Sequence, residues 1–293
     1  MARRSRTTRP DRSSREAPTL PVGPVPIDTG TAHLEQDPDH AARVTLHVNG
    51  VPSSCLDLAD PGFLAFEYLQ QMAAVVDLLP PGPVRALHLG AAGCALPRQI
   101  EHVRPDSRQL GVDIDARLLT LVREWFSLPR SPRLRLRADD AGHALASLPA
   151  ASFDVVVRDA FDGDTTPGHL VGRAFAGAAL RVLRPGGLLL VNCADRPPLE
   201  RTRQELASIV PSLDEDAVAD GRLAVVAEPA VLKGRRYGNV VIAAVAPGSA
   251  DPAAGPDLGD AGLARALRSL AVPARVLVGD ELARLVGSAA PLP

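Results

Sequence analysis

The run Phe153-Asp154-Val155-Val156-Val157-Arg158 delivers Asp159, and a polar loop carrying Asp162 and Asp164 follows it. A carboxylate at the carboxyl end of a buried parallel strand sits where open α/β sheets place their ligands. In that position it can take a proton from a reacting group or hold a cationic one. Two earlier strand-like segments end in the same way, at Val112-Asp113-Ile114-Asp115 and at Ala138-Asp139-Asp140-Ala141. Before them stands Leu87-His88-Leu89-Gly90-Ala91-Ala92-Gly93-Cys94, whose small residues let a ligand approach the backbone at the start of a helix.

Each of these signals has a structural alternative. A tight strand-to-helix turn explains Gly90 and Gly93 as well as a ligand does. Asp113 lies about 20 residues beyond the glycine turn, the spacing of an acid that accepts from ribose hydroxyls; Asp115, directly before a helical stretch, fits a helix cap better. Of the third pair, Asp139 reads as a cap, while Asp140 is open between capping and accepting from the exocyclic amine of adenine. Asp159 then faces the reacting end. NAD also suits Gly90 and Asp113, but the turn lacks the full GxGxxG. An adenosyl sulfonium co-substrate accounts for all four strand ends together.

The elements that must position these residues alternate. Strands are expected at residues 84–89, 109–114, 134–137, 153–158, 188–193, 223–227 and 240–245, and helices at 95–103, 116–126, 142–148, 170–183 and 199–210. Such alternation implies βαβ crossovers and a parallel sheet, with an antiparallel pair where the last two strands flank residues 233–238. Upstream, Val44 to Val48 alternates like a strand, Asn49-Gly50 marks a turn, and residues 55–58 return as a hairpin partner. Residues 63–79 read as a helix stopped by Pro80-Pro81-Gly82-Pro83. The expected organisation is a disordered basic tail (1–21), a hairpin with its helix (22–80), a nucleoside-binding core (81–246), and a linker with a helix-and-strand appendage (247–293).

Bulk properties narrow the function class. The 293 residues are 46% hydrophobic and 23% charged, with a formal net charge of −2, which argues against nucleic acid as a partner. Three cysteines, with no CxxC and no paired histidines, point to neither a disulfide framework nor a metal site and favour a reducing cytoplasm. No apolar run approaches the ~18 residues of a membrane span. Six arginines among the first fifteen residues accompany no apolar h-region, so the start does not read as a secretory signal. His88 and His143 read as structural; His169 and Tyr237 are open between facing a pocket and packing. Arg158 should point to the face of its strand opposite Asp159.

These segments resemble the spermidine synthase family, the polyamine aminopropyltransferases. Val112-Asp113-Ile114-Asp115 is similar to the family's V-E-I-D and Asp140-Ala141 to its G-D-A. Asp159-Ala160-Phe161-Asp162 is similar to its D-S-S-D loop, and Leu183-Arg184-Pro185-Gly186-Gly187 to its L-x-P-G-G turn. The resemblance implies a Rossmann-like class I methyltransferase fold: a mostly parallel seven-stranded sheet with helices on both faces and a small N-terminal β-hairpin. It implies that Gly90, Gly93, Asp113, Asp140 and Ala141 bind the co-substrate, decarboxylated S-adenosylmethionine or S-adenosylmethionine, without a metal. Asp159 and Asp162 become catalytic, serving a small amine acceptor, and the hairpin implies a homodimer. Freeing a primary amine of its proton at pH 7 costs roughly 4–5 kcal/mol, which is why an adjacent carboxylate is needed.

The sequence also departs from the family. Its G-G-G-D-G-G becomes Gly90-Ala91-Ala92-Gly93-Cys94-Ala95, so the acid that meets the amine of the decarboxylated co-substrate is replaced by Gly93. The glutamine of G-x-x-Q appears as Ser53, R-E as Arg98-Gln99, and Y-H-E as Phe66-Glu67-Tyr68. Methyl transfer on the same fold, or a non-catalytic protein that kept it, are the alternatives these departures raise.

Overall fold

The computed structural model describes residues 20–163, 165–248 and 255–292. Most of the basic tail, Asp164 and part of the expected linker lie outside the described residues.

Four strands open the described chain: β1 (Val25–Ile27), β2 (Gly30–Gln36), β3 (Arg43–Val48) and β4 (Val51–Asp57), joined in that order as an antiparallel sheet. The expected hairpin is β3–β4, and the pairings β2–β3 and β1–β2 extend it. Helix α1 (Glu67–Val76) follows. It is shorter than expected because the chain stays extended through Phe66, and Asp77 already caps the far end.

The core then alternates as the spacing requires: β5 (Arg85–Leu89), α2 (Ala95–Val103), β6 (Arg108–Asp113), α3 (Ala116–Trp125), β7 (Leu134–Ala138), α4 (Ala141–Ser147) and β8 (Phe153–Arg158). It continues through α5 (Gly172–Val182), β9 (Leu183–Asp195), α6 (Glu200–Ile209), β10 (Leu223–Ala227), α7 (Pro229–Leu232) and β11 (Gly238–Val245). The chain finishes with α8 (Ala261–Arg268), β12 (Arg275–Leu277) and α9 (Gly279–Val286).

The main sheet has eight strands in the order β12-β10-β11-β9-β8-β5-β6-β7. The expected count of seven therefore needs correcting: β12 pairs antiparallel with β10 and covers what was to be the edge strand. An exposed edge is a template for unwanted pairing, and a short added strand with a helix blunts it. From β7 to β9 all pairings are parallel, and β11 inserts antiparallel between β9 and β10.

Side-chain alternation along the strands divides the core into two layers. Ala86, Val155, Val157, Leu188 and Leu190 face one layer with α1, α2, α3 and α8. Leu87, Leu89, Val156, Leu189 and Val191 face the other, with α4, α5, α6 and α9. Burial on both faces explains why these strands read as continuous Val, Leu and Ala runs. Among the described residues, no helix is long and apolar enough to cross a membrane.

The strand order matters most at its centre. From β5 the chain runs outward to β6 and β7, then returns to place β8 on β5's other side and β9 beyond it. The loops leaving β5 and β8 therefore diverge, opening a crevice at the carboxyl ends, as doubly wound sheets do at such a reversal.

Candidate active site

A cavity of about 790 Å³ fills that crevice, bounded by the strand ends, the N-terminal sheet and the start of α1. Its volume suits a nucleoside-sized ligand with room beside it. A second hollow, about 660 Å³, lies between α1 and α8 and includes none of the strand-end acids.

Gly90 ends β5 with φ +86°, and a Cβ there would lie 2.3 Å from the backbone oxygen of Asp159. Only glycine lets the ends of β5 and β8 approach so closely. Asp159 is thereby seated in the crevice, with its own N–H donating to Leu89 O at 2.8 Å. Its carboxylate is held at both oxygens. The Tyr68 hydroxyl donates to Oδ2 at 2.8 Å, and the Asn192 amide donates to Oδ1 at 2.9 Å. Burial pushes the Asp159 carboxyl above its ordinary value, against the opposing pull of these two donors and of the nearby Arg158 charge. Burial also keeps Tyr68 protonated, raising its hydroxyl well above the usual range, and the charge of Asp159 adds to this. The result is a carboxylate supplied with donors yet poised to take a proton.

Asp113 ends β6 half-buried in the cavity wall. Its Oδ2 accepts from the N–H groups of Ala91 (3.2 Å) and Ala92 (2.9 Å), and its Oδ1 from Asp115 N–H at 3.1 Å. The acid thus organises the small-residue turn, while Oδ1, which accepts from a single N–H, keeps a lone pair for a ligand hydroxyl. Burial raises its carboxyl, partly offset by the three N–H groups. Asp115 is the cap, accepting from Leu118 N–H at 2.6 Å. It also accepts from Thr29 N–H (2.7 Å) and hydroxyl (2.8 Å), which fastens the N-terminal sheet over the strand ends.

At the third acidic end the structure reverses the expected cap. Asp140, not Asp139, caps α4, accepting from His143 N–H at 2.9 Å. Its other oxygen lies 2.8 Å from His169 Nε2. Asp139 instead meets His143 Nδ1 at 2.8 Å and pairs with Arg137. Both acids and Ala141, buried at the start of α4, line the cavity. Asp162 lines it too, on an exposed loop whose N–H donates to Thr165 O at 2.8 Å.

Gly93 is placed differently from the sequence expectation: it does not line the cavity. Ser54, buried on β4, lies over it and accepts the Gly93 N–H at 3.0 Å. A Cβ at 93 would stand 2.6 Å from Ser54 Cβ. The N-terminal sheet thus fills the space that an acid at 93 would need. His88, read from the sequence as structural, is buried with Nε2 2.9 Å from Gln109 Oε1 and its imidazole pushed down to about 4 by burial, and it also lines the cavity.

Three lining residues were not expected at the site. Tyr68, read from the sequence only as part of Phe66-Glu67-Tyr68 in place of the family's Y-H-E, reaches Asp159 from a helix 91 positions away. Asn192 left a signal that could have found it, a lone amide within the apolar run of β9 beside β8. Ser54 gave no signal. Charge completes the picture: seven of the lining residues are carboxylates, Glu67, Asp113, Asp140, Asp159 and Asp162 among them, and none of the described lining residues is Arg or Lys. Such a wall attracts cations and offers a ligand carboxylate no counter-charge.

No protein-family model matches the chain. A probable spermidine synthase from Corynebacterium glutamicum is 32% identical, with a TM-score of 0.82, and the alignment covers 93% of this chain and 96% of that one. The polyamine aminopropyltransferase of Vibrio vulnificus is 29% identical over 129 residues, 43% of either chain. The chain thus spans about half the length, or less, of the curated relatives it matches. The human eEF1A lysine and N-terminal methyltransferase is 25% identical over 201 residues, covering 62% of this chain and 29% of that protein. With a relative at that identity aligned over nearly its whole length, and a parallel core opening on the acidic crevice described above, the chain belongs to the spermidine synthase-like family of polyamine aminopropyltransferases, transferases built on the class I methyltransferase fold.

Proposed function

We propose that this protein transfers an aminopropyl group from decarboxylated S-adenosylmethionine to a small amine. The observation that carries the reading is Asp159, ionisable and held by Tyr68 and Asn192, inside a cavity whose described lining holds seven carboxylates and no Arg or Lys. The co-substrate supplies an electrophilic carbon beside a sulfonium sulfur, and the remaining tasks fall to the chain.

Asp113 accepts from a ribose hydroxyl with the Oδ1 lone pair that the Ala91, Ala92 and Asp115 N–H groups leave free. Asp140 and Ala141 border the adenine end. Asp159 orients the attacking amine and receives its proton, so that the nitrogen lone pair forms the new C–N bond as the C–S bond breaks. Asp162 holds the far, cationic end of the acceptor. Burial raises the Asp159 carboxyl toward the working pH, which strengthens it as a base.

Incubation with decarboxylated S-adenosylmethionine and a panel of linear diamines should release methylthioadenosine. Asp159→Asn should lower kcat by about 100-fold or more, the range for a positioned base. No methylthioadenosine with any amine would defeat the reading.

A second reading, methyl transfer, has its own observation: Ser54 fills the place of the missing acid at Gly93, so nothing at that point favours the decarboxylated form. Release of S-adenosylhomocysteine from intact S-adenosylmethionine, with a methylated amine, would select it.

A further inference from the structure

Behind the acidic cavity, on the opposite face of β8, lies a buried ion pair that the proposed reaction does not use. Arg158, the last residue of β8, is wholly buried, and its guanidinium stands 5.7 Å from the ring centre of Phe175 on α5. Its Nη1 donates to Leu170 O at 3.1 Å; its Nη2 donates to Asn192 O at 2.7 Å and to Glu205 Oε1 at 2.9 Å.

These three partners are far apart in sequence, and two of them, Leu170 and Asn192, meet the loop that leaves β8. Arg158 itself begins the segment that carries Asp159, Asp162 and His169. Leu170 ends that segment. Asn192 is the residue whose side chain donates to Asp159. A single guanidinium therefore ties together both ends of the loop and the neighbouring strand at the point where it touches Asp159.

Stability alone is a weak reason for such a pair. Removing two charges from water costs about as much as their attraction returns, and apolar pairs of similar volume often serve equally well. Here Arg158 Nε also has no partner among the described residues, so the pair is imperfect even as an ion pair. What an apolar pair cannot do is bond the Leu170 and Asn192 carbonyls.

We infer that Arg158, fixed by Glu205, is a positioning residue that braces the loop carrying Asp159, Asp162 and His169 in its working shape. The inference deepens the transferase reading and rests on it for the kinetic consequence alone.

The test replaces the pair by Arg158→Met with Glu205→Leu and compares amide exchange, nucleoside binding and turnover with the unmodified protein. Exchange should accelerate by about 10-fold or more at the Asp162, Thr165 and Leu170 N–H groups and stay unchanged at Val156 within β8. Turnover should fall by about 10- to 100-fold, the effect of a displacement of about 1 Å. Methylthioadenosine, bound through Asp113 and the Gly90 turn, should keep its Kd. Unchanged exchange at the loop amides, or faster exchange spread equally through β8, overturns the brace.

Should the double variant fail to fold, Glu205→Gln keeps the volume and one acceptor. It should give the same loop-restricted pattern at about 3-fold, and its absence counts equally against the inference. If the unmodified protein releases no methylthioadenosine with any amine, the transferase reading falls while the exchange arm still decides the brace.

Discussion

A reactive carboxylate is a strained resident of its own fold, and Asp159 shows the sign of that strain. Its carboxyl is raised by burial, so the folded chain favours the protonated form more than the unfolded chain does. The stability that goes with protonation is fully present below the unfolded value, ~3.9. It is lost as pH rises through the raised folded value. Asp159→Asn removes that loss. The substitution keeps the shape, and Asn192 can rotate its amide so that Oδ1, now without a partner, accepts from the new NH2 group. Thermal denaturation across pH should show the variant level with the parent near pH 3.5. At neutral pH it should be more stable by about 0.5–2 kcal/mol, the usual gain when an active-site group is relieved. A variant less stable at neutral pH would mean that the donors of Tyr68 and Asn192 outweigh burial.

At the scale of elements, the N-terminal sheet is part of the site rather than an appendage to it. Ser54 on β4 occupies the space over Gly93, and Thr29 and Asp115 bolt the sheet to α3. Positions 54 and 93 are therefore coupled. Gly93→Asp alone should destabilise by about 1–3 kcal/mol through overpacking. Combined with Ser54→Gly it should recover most of that loss and shift preference toward the decarboxylated co-substrate. A double-variant cycle in denaturant checks this, and simple additivity of the two effects would show that the side chains do not compete. The same coupling explains what sequence reading could and could not reach. The parallel strands were legible because burial on both faces leaves uninterrupted apolar runs, and Asp113, Asp140 and Asp159 were legible because such runs end in them. β1 and β2 were not, their pattern being weak; β12 was expected as a strand of the 247–293 appendage, but its place in the main sheet was not. Gly93 was misplaced for a different reason. Whether a turn residue lines a cavity depends on a side chain from another sheet, here 39 residues away. Tyr68 likewise belongs to a helix whose contact with Asp159 exists only after folding.

For the whole molecule, the distribution of charge says more than its total. The formal net charge is only −2, yet seven carboxylates and neither Arg nor Lys line the described wall of one cavity. A low-dielectric cleft concentrates that field, raising the local concentration of cationic ligands. Salt should weaken the effect, because at physiological ionic strength charges beyond about 8 Å are already screened. For a diamine acceptor, KM should therefore rise by several-fold between about 0.02 and 0.3 M salt, a range over which the Debye length shrinks from roughly 20 to 6 Å. Turnover at saturation should change little, since in the proposed reaction Asp159 meets the amine at contact distance, where added salt screens poorly. Methylthioadenosine is neutral and supplies the control. Its Kd, measured by calorimetry over the same range, should stay flat. If KM for the diamine and Kd for the neutral nucleoside move together, salt acts on the protein rather than on the encounter. If neither moves, Asp113, Asp140 and Asp162 hold ligands only by short hydrogen bonds, and the acidic wall has no long-range role in capture.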